Sequence, residues 1–566
     1  MYYGQARSGL LQGMNPRTTI ATIVIILLAL WAGTFHNQLS ARHISTIRTA
    51  LNPFLEWYYV ALVAFLLFFM VWLGIGRFKN VRLGGDDERP EFTFFSWVAM
   101  LFAAGTGVGI LFWAVAQPIL QFQENPFIGS GMSPEAATVA MRLTYFHWGL
   151  NGWAIFAFVA LSMAYFSFRH NLPLTVRSAL YPFFGERVRG PLGDIVDTLA
   201  VFGTIFGIAT TLGLGVQQMN SGLQQVFGLD ASVRLQLSIT AIIMAIATTS
   251  VVSGVRRGVR ILSEMNFWLS IAMVSFILLF GPTQYLIGLI LESTGDYLQN
   301  ILAMTFHTNV TRGDQWQAQW TVFFWGWWIA WSPFVGMFIA RISRGRTFRE
   351  FVAGVLLVPT LITIVWIGLF GGTALHHEQF GAGGIVAAVE QDIASALFVT
   401  IEAMNLGVFS TMASMAMVLL ICTYLITSAN AGTLVINTIL SGGDTEPPTA
   451  HRILWGAVLA LLTSVLLVAG GLETLQSTVI AAALPFSLII VLMIGGLLRA
   501  LNHERFAARK GLRTEAPREP WIDLDDAGQK STWRRTSARS LRKRRLSRER
   551  LPSHAHKAES GEEKTM

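Results

Sequence analysis

Long apolar runs separated by short polar stretches fill most of the chain, and few of them show a clean amphipathic period, as befits helices that are apolar all round. Crossing a bilayer core takes about 20 residues of helix. Twelve segments meet that need: 19–35, 54–75, 94–117, 143–167, 196–219, 235–254, 265–287, 319–340, 351–371, 405–429, 453–470 and 475–498. Charge in the connecting stretches alternates with them. Loops 76–92, 168–193, 255–263 and 341–350 are rich in Arg, whereas 118–140, 372–404 and 471–474 hold no Lys or Arg at all. Excess Lys and Arg mark the cytoplasmic side. The pattern predicts twelve spans with both termini inside, and a multi-pass protein of the plasma (inner) membrane.

Composition agrees: 53% of residues are hydrophobic, 13% are charged and the mean hydropathy is +0.51. A soluble chain carries about a quarter charged residues. The first apolar run follows a weakly basic start with no small-residue cleavage site, so it is expected to stay as a span. The single cysteine, Cys422, sits in an apolar run, which excludes a disulfide within the chain. Two stretches fall outside the spans. Residues 288–312 mix apolar and polar positions at helical spacing and predict a helix lying on the outer surface. The tail is basic, with Arg542, Lys543, Arg544 and Arg545 at its densest point. Such a cluster suits anionic lipid, each cation contributing about 1 kcal/mol near the surface. Interleaved aromatics are lacking, which argues against nucleic acid.

No nucleotide-hydrolysing motif or zinc-type His–Glu helix is present, and nothing points to an enzyme or to a bound cofactor. The run GTGVG (105–109) lies within the third span with no strand before it, so a dinucleotide loop is excluded by context. Closely spaced glycines weaken a helix by about 1 kcal/mol each and free backbone to face a cavity. The eighth span contains Pro333 after Trp331 and Ser332, which predicts a second break. Interrupted helices at matching positions of two five-helix halves point to a transporter site at the bilayer midplane.

Two aromatic clusters accompany these positions. FFWGWWIAWSPF (323–334) places Phe323, Trp327 and Trp331 on one helical face, with Trp325 and Trp328 on adjacent directions. FHWGLNGWAIF (146–156) supplies Trp148, Trp153 and Phe156. Quaternary ammonium has charge but no N–H to donate, and ring faces suit it, each contributing roughly 0.5–2 kcal/mol. The ligand class read from the residues is therefore a methylated ammonium compound.

The segment QWTVFFWGWWIAWSPFVGMFIARISRGRTFREF (319–351) resembles the signature region of the betaine/choline/carnitine transporters. AAGTGVGILFWAVAQP, FHWGLNGWAIF, GTIFGIATTLGLG and TYLITSAN match further family segments in order, so the resemblance covers roughly residues 15 to 500. It implies an all-α polytopic membrane protein of 12 transmembrane helices. Spans 3–7 and 8–12 would form the inverted 5+5 repeat of the leucine-transporter type, commonly assembled as a homotrimer. The implied division is a short N-terminus (1–18), two leading helices (19–92), a first repeat (93–287), an outer surface helix and loop (288–318), a second repeat (319–500) and the basic tail (501–566).

Carried over residue by residue, the resemblance implies a substrate cage of Trp148, Trp153, Phe156 and Trp328, with Trp327 and Trp331 along the path. The backbone of Gly105, Gly107 and Gly109 would approach a betaine carboxylate. One sodium site would use Ala103, Thr106, Tyr424, Thr427 and Ser428. A second would use Thr204 and Phe334, but Ile208 stands where a second Thr belongs, and Thr211 is the nearby substitute. Phe267 occupies the place of an arginine found in sodium-independent exchangers, and Gly109 the place of an acid found in proton-coupled choline carriers. The expectation is sodium symport of glycine betaine, with Na⁺ as coupling ion. The alternatives are proton- or potential-driven uptake of choline, carnitine or ectoine, and a membrane sensor that binds solute without moving it.

Overall fold

A computed structural model describes residues 4–35, 37–105, 107–252, 256–311, 313, 315–444 and 446–509. The basic cluster Arg542–Arg545 and Thr106, expected at a sodium site, lie outside the described residues, as does the side chain of Ala103. Among the described residues there is no strand, in keeping with a chain whose backbone must satisfy its own hydrogen bonds in lipid.

In chain order the helices are α1 (Pro16–Phe35), α2 (Asn37–Ile75), α3 (Phe94–Gly105), α4 (Val108–Gln123), α5 (Pro134–Trp148), α6 (Leu150–Ala164), α7 (Tyr181–Phe184), α8 (Pro191–Phe227), α9 (Val233–Val252), α10 (Arg256–Phe280), α11 (Thr283–Thr305), α12 (Trp316–Gln319), α13 (Thr321–Ile342), α14 (Phe348–Phe380), α15 (Ile385–Gln391), α16 (Ala396–Ala403), α17 (Val408–Leu440) and α18 (Thr449–Arg509). Among the described residues nine helical stretches are long and apolar enough to cross a membrane, and α1 and α4 are shorter apolar helices. The last of the nine bends at Gly470 and Gly471, whose φ values of 159° and 59° interrupt α18 and separate the eleventh and twelfth apolar segments. Each of the twelve apolar segments thus has a helical counterpart.

The third segment breaks where its glycines fall: α3 ends at Gly105 and α4 begins at Val108. The eighth does not break. Pro333 lies inside a continuous α13, contrary to the expectation from sequence. Proline cannot donate to the carbonyl four residues back, which is that of Ile329. The Ser332 hydroxyl donates to this carbonyl at 2.8 Å instead, so the helix loses no partner and continues.

A break appears instead in the fourth segment. Gly149 (φ −97°, ψ −142°) separates α5 from α6, one residue after Trp148. A Cβ there would lie 2.5 Å from the Tyr145 carbonyl and 2.8 Å from the Tyr297 hydroxyl. That hydroxyl accepts the backbone N–H of Leu150 at 3.1 Å, filling the vacancy left by the interrupted ladder. Tyr297 belongs to α11, which starts at Thr283 because Gly281–Pro282 closes α10 at Phe280, earlier than the run 265–287 suggests. Arg142 of α5 also pairs with Asp296 of α11 at 3.2 Å.

The core centres on α6, α8 and α13. Small residues bring them close: a Cβ on Gly203 of α8 would sit 3.2 Å from the Ala330 carbonyl, and one on Gly336 of α13 would sit 2.8 Å from Val159. Helices α9 and α10 are peripheral, with under a third of their apolar windows buried, against 94% for Pro134–Arg169.

Candidate functional site

Where α4, α5, α6 and α13 converge, a small cavity is lined by Gly107, Gly109, Ile110, Trp148, Gly152, Trp153, Phe156, Trp328 and Trp331. Three separated stretches of sequence therefore build one chamber. Most of its neighbouring rings meet nearly at right angles, while Trp328 and Trp331 lie closer to parallel, 6.1 Å apart at 27°. Trp148 stands 4.9 Å from Trp328 at 79°, Phe156 is 5.5 Å from Trp328 at 71°, and Trp153 is 5.4 Å from Phe156 at 70°. Trp331 closes a further side, 5.9 Å from Phe156 at 74°. Perpendicular rings let one cation meet several π faces.

The indole N–H groups of both central tryptophans are used elsewhere. Trp328 Nε1 donates to the His147 carbonyl at 2.9 Å, and Trp148 Nε1 donates to Gln117 Oε1 at 3.1 Å. None of the lining residues is ionisable, so the ring quadrupoles are the electrostatics a cation would meet there.

One polar feature adjoins the rings. Helix α4 is preceded by Gly107, which is extended (φ −171°, ψ −178°) and offers no side-chain cap. The first N–H groups of a helix have no intrahelical acceptor, and the helix dipole makes that end positive. A carboxylate suits it. Gly109 has no room for a side chain: a Cβ would lie 2.7 Å from Trp327 Cη2 and 3.3 Å from Trp148 Cη2.

Of the cage expected from sequence, Trp148, Trp153, Phe156 and Trp328 line the cavity together, as do Trp331, Gly107 and Gly109. Trp327 stands behind it, fully buried and stacked on Trp328 at 4.9 Å and 14°. Gly105 is placed as the last residue of α3. Sequence reading missed Gly152, on which a Cβ would lie 2.9 Å from Trp328 Nε1. Its place one residue before Trp153 was the available signal.

The expected ion ligands are less concentrated. Thr427 Oγ1 donates to its own helix at the Thr423 and Tyr424 carbonyls (3.0 Å each) and accepts from Asn266 of α10 at 3.2 Å. The Tyr424 hydroxyl meets Ser270 at 3.2 Å, and Ser428 is half-buried on the same helix. The start of α4 is close by: Gly215 of α8 faces both Val108 of α4 and Leu425 of α17, and a Cβ on it would meet the two side chains. At the second site, Thr204 is fully buried and its Oγ1 has no hydrogen-bond partner among the described residues. Thr211 Oγ1 bonds back to the Gly207 carbonyl at 3.0 Å. Ile208 instead packs on α17, its Cδ1 2.6 Å from where a Gly432 Cβ would stand. Phe334 lies 5.6 Å from Trp331.

Comparison with known proteins adds independent findings. Residues 17–506 match the model of a betaine/carnitine/choline family transporter. The chain is 40% identical over 493 residues to a glycine betaine transporter of Acinetobacter baylyi, covering 86% of this chain and 74% of that one. It is 40% identical over 468 residues to a glycine betaine transporter of Bacillus subtilis, covering 82% and 90%. It is 38% identical over 532 residues to the high-affinity choline transport protein of Escherichia coli, covering 93% and 77%.

Proposed function

The chain belongs to the betaine/carnitine/choline transporter family, and from that premise we propose that it imports glycine betaine by sodium symport. It is a multi-pass membrane transporter of quaternary-ammonium solutes, not an enzyme. The observation that carries the finer reading is the chamber itself: perpendicular rings and no ionisable lining side chain, beside an uncapped helix start. The rings suit trimethylammonium and the start of α4 suits a carboxylate, so a zwitterion uses both. Choline, which has no carboxylate, would use only the first. The crowding of Gly109 by Trp327 and Trp148 also leaves no space for an acid that would favour a bare cation.

Sodium coupling rests on the oxygen donors of α17 and α8. Thr427 and Ser428 offer hydroxyls near the start of α4, with Tyr424 and the positions Ala103 and Thr106 completing a first ligand set. Thr204, with its unpartnered buried hydroxyl, is the best remaining donor of a second site; Ile208 and the back-bonded Thr211 argue for a single working ion. A zwitterion gains nothing from membrane potential, whereas each co-transported Na⁺ contributes about 2.3 kcal/mol per 100 mV. At about 150 mV one ion supports a gradient of a few hundredfold, and two support about 10⁵. Alternating access would expose the chamber to either side in turn. A homotrimer, and contact of Arg542–Arg545 with anionic lipid, complete the proposal.

Uptake of labelled glycine betaine into proteoliposomes tests it. Accumulation should require an inward sodium gradient; uptake indifferent to sodium, or binding without uptake, overturns the coupling or the transport reading respectively.

A further inference from the structure

A buried polar chain lies just outside the cage and touches no cavity surface. Gln117 of α4, His147 of α5 and Thr321 of α13 are each at most 1% exposed, and they come from three of the helices that line the chamber. Trp148 Nε1 lies 3.1 Å from Gln117 Oε1, Gln117 Nε2 lies 2.7 Å from His147 Nδ1, and His147 Nε2 lies 3.1 Å from Thr321 Oγ1. The direction of every bond follows from one member that cannot reverse. An indole N–H only donates, so Gln117 must present its oxygen to Trp148 and its NH₂ to His147. Nδ1 must then accept, which puts the imidazole proton on Nε2, where it donates to Thr321. An imidazolium would set N–H against N–H. The backbone carbonyl of the same His147 receives Trp328 Nε1 at 2.9 Å. Both central tryptophans are therefore tied to His147, one through Gln117 and one directly.

We propose that Gln117 and His147 are positioning residues of the cage. The lone pair on His147 Nδ1 fixes the amide of Gln117 with its oxygen toward Trp148, and Gln117 thereby holds the Trp148 ring across Trp328. Free rotation of that amide would turn its NH₂ toward the indole N–H and release the ring. The same proton arrangement keeps the imidazole uncharged beside a site for a cation. Phe324, stacked on the imidazole at 4.7 Å and 15°, holds it from the side.

This inference rests on the quaternary-ammonium reading of the cavity, and one pair of probes separates the two. Glycine betaine and 3,3-dimethylbutyrate have the same shape and carboxylate, but only the first has a cationic centre. The ratio of their dissociation constants reports what the rings contribute to charge recognition. In the purified full-length wild type, titrated calorimetrically, betaine should bind at least tenfold tighter. Gln117→Leu should cut that ratio by about tenfold, through loss of one oriented ring, with little change for dimethylbutyrate. His147→Gln should lower it similarly, because the acceptor at Nδ1 is displaced. His147→Asn, whose side-chain oxygen takes the place of Nδ1, should keep the ratio within about twofold of wild type. Equal weakening of both probes in Gln117→Leu and His147→Gln would show a packing role only and overturn the inference. So would an unchanged ratio, or equal loss in His147→Asn and His147→Gln. A wild type with no preference for betaine would overturn the cage reading itself, and this inference with it. Both His147 variants keep a polar side chain, so their comparison stands even where Leu at 117 prevents folding.

Discussion

The two aromatic walls of the chamber hold their rings by opposite backbone solutions. The α5–α6 wall is broken at Gly149 between its first and second tryptophans, whereas α13 runs unbroken through Pro333. By propensity alone the order should be reversed, since proline is the stronger helix breaker. What decides is the fate of the stranded backbone group. At Pro333 a neighbouring hydroxyl already lies within the same turn, so the helix heals itself. At Gly149 the missing side chain opens space that Tyr297 fills from another helix, so the break is stabilised from outside.

Substitutions should sharpen that contrast. The largest effect is expected in the rings: Trp328→Ala removes the face shared by both walls, and should raise the apparent KM for betaine uptake in proteoliposomes by at least tenfold. Full retention of affinity would refute the cage. Gly149→Ala comes next. Its Cβ has backbone and Tyr297 hydroxyl within 2.8 Å, and overpacking of this kind costs about 1–3 kcal/mol. A fall in the unfolding midpoint of the detergent-solubilised protein would be accompanied by loss of uptake, and Tyr297→Phe should share part of it. Ser332→Ala strands the Ile329 carbonyl and should cost about 1 kcal/mol. Pro333→Ala restores the backbone donor, so the double variant should recover most of the loss. Additivity in that cycle would break the account of the healed helix. The smallest effect is foreseen for Pro333→Ala alone, within about 0.5 kcal/mol of wild type.

The same contrast explains what could be read from the chain in advance. Apolar length located the helices, because a continuous apolar run of about 20 residues in lipid satisfies its backbone as a helix. Residue type marked the two aromatic clusters, and the family resemblance picked the expected cage rings from them. The break at Gly149 was invisible, since its cause is Tyr297, almost 150 positions away. The continuity of α13 was misjudged for the opposite reason: Ser332 carries the answer, but a serine beside a proline looks like part of a turn. The end of α10 at Gly281–Pro282 shows where punctuation does apply: the helix stops there although the Thr283 hydroxyl donates to the Leu278 carbonyl that Pro282 leaves without a backbone donor. The expected ion ligands are diffuse for a related reason. Thr427 and Thr211 satisfy their own helices, and a hydroxyl that bonds back looks the same in sequence as one that binds an ion.

A chamber lined by rings and glycines, with no ionisable side chain, has an electrical consequence. The empty site brings no fixed charge of its own to the reorientation step, so the return of the unloaded carrier should be nearly silent in a voltage clamp. A zwitterionic cargo adds none either. Steady current divided by solute flux would then count any coupling ions, one charge per ion, because fixed protein charges return within each cycle and a zwitterion adds none.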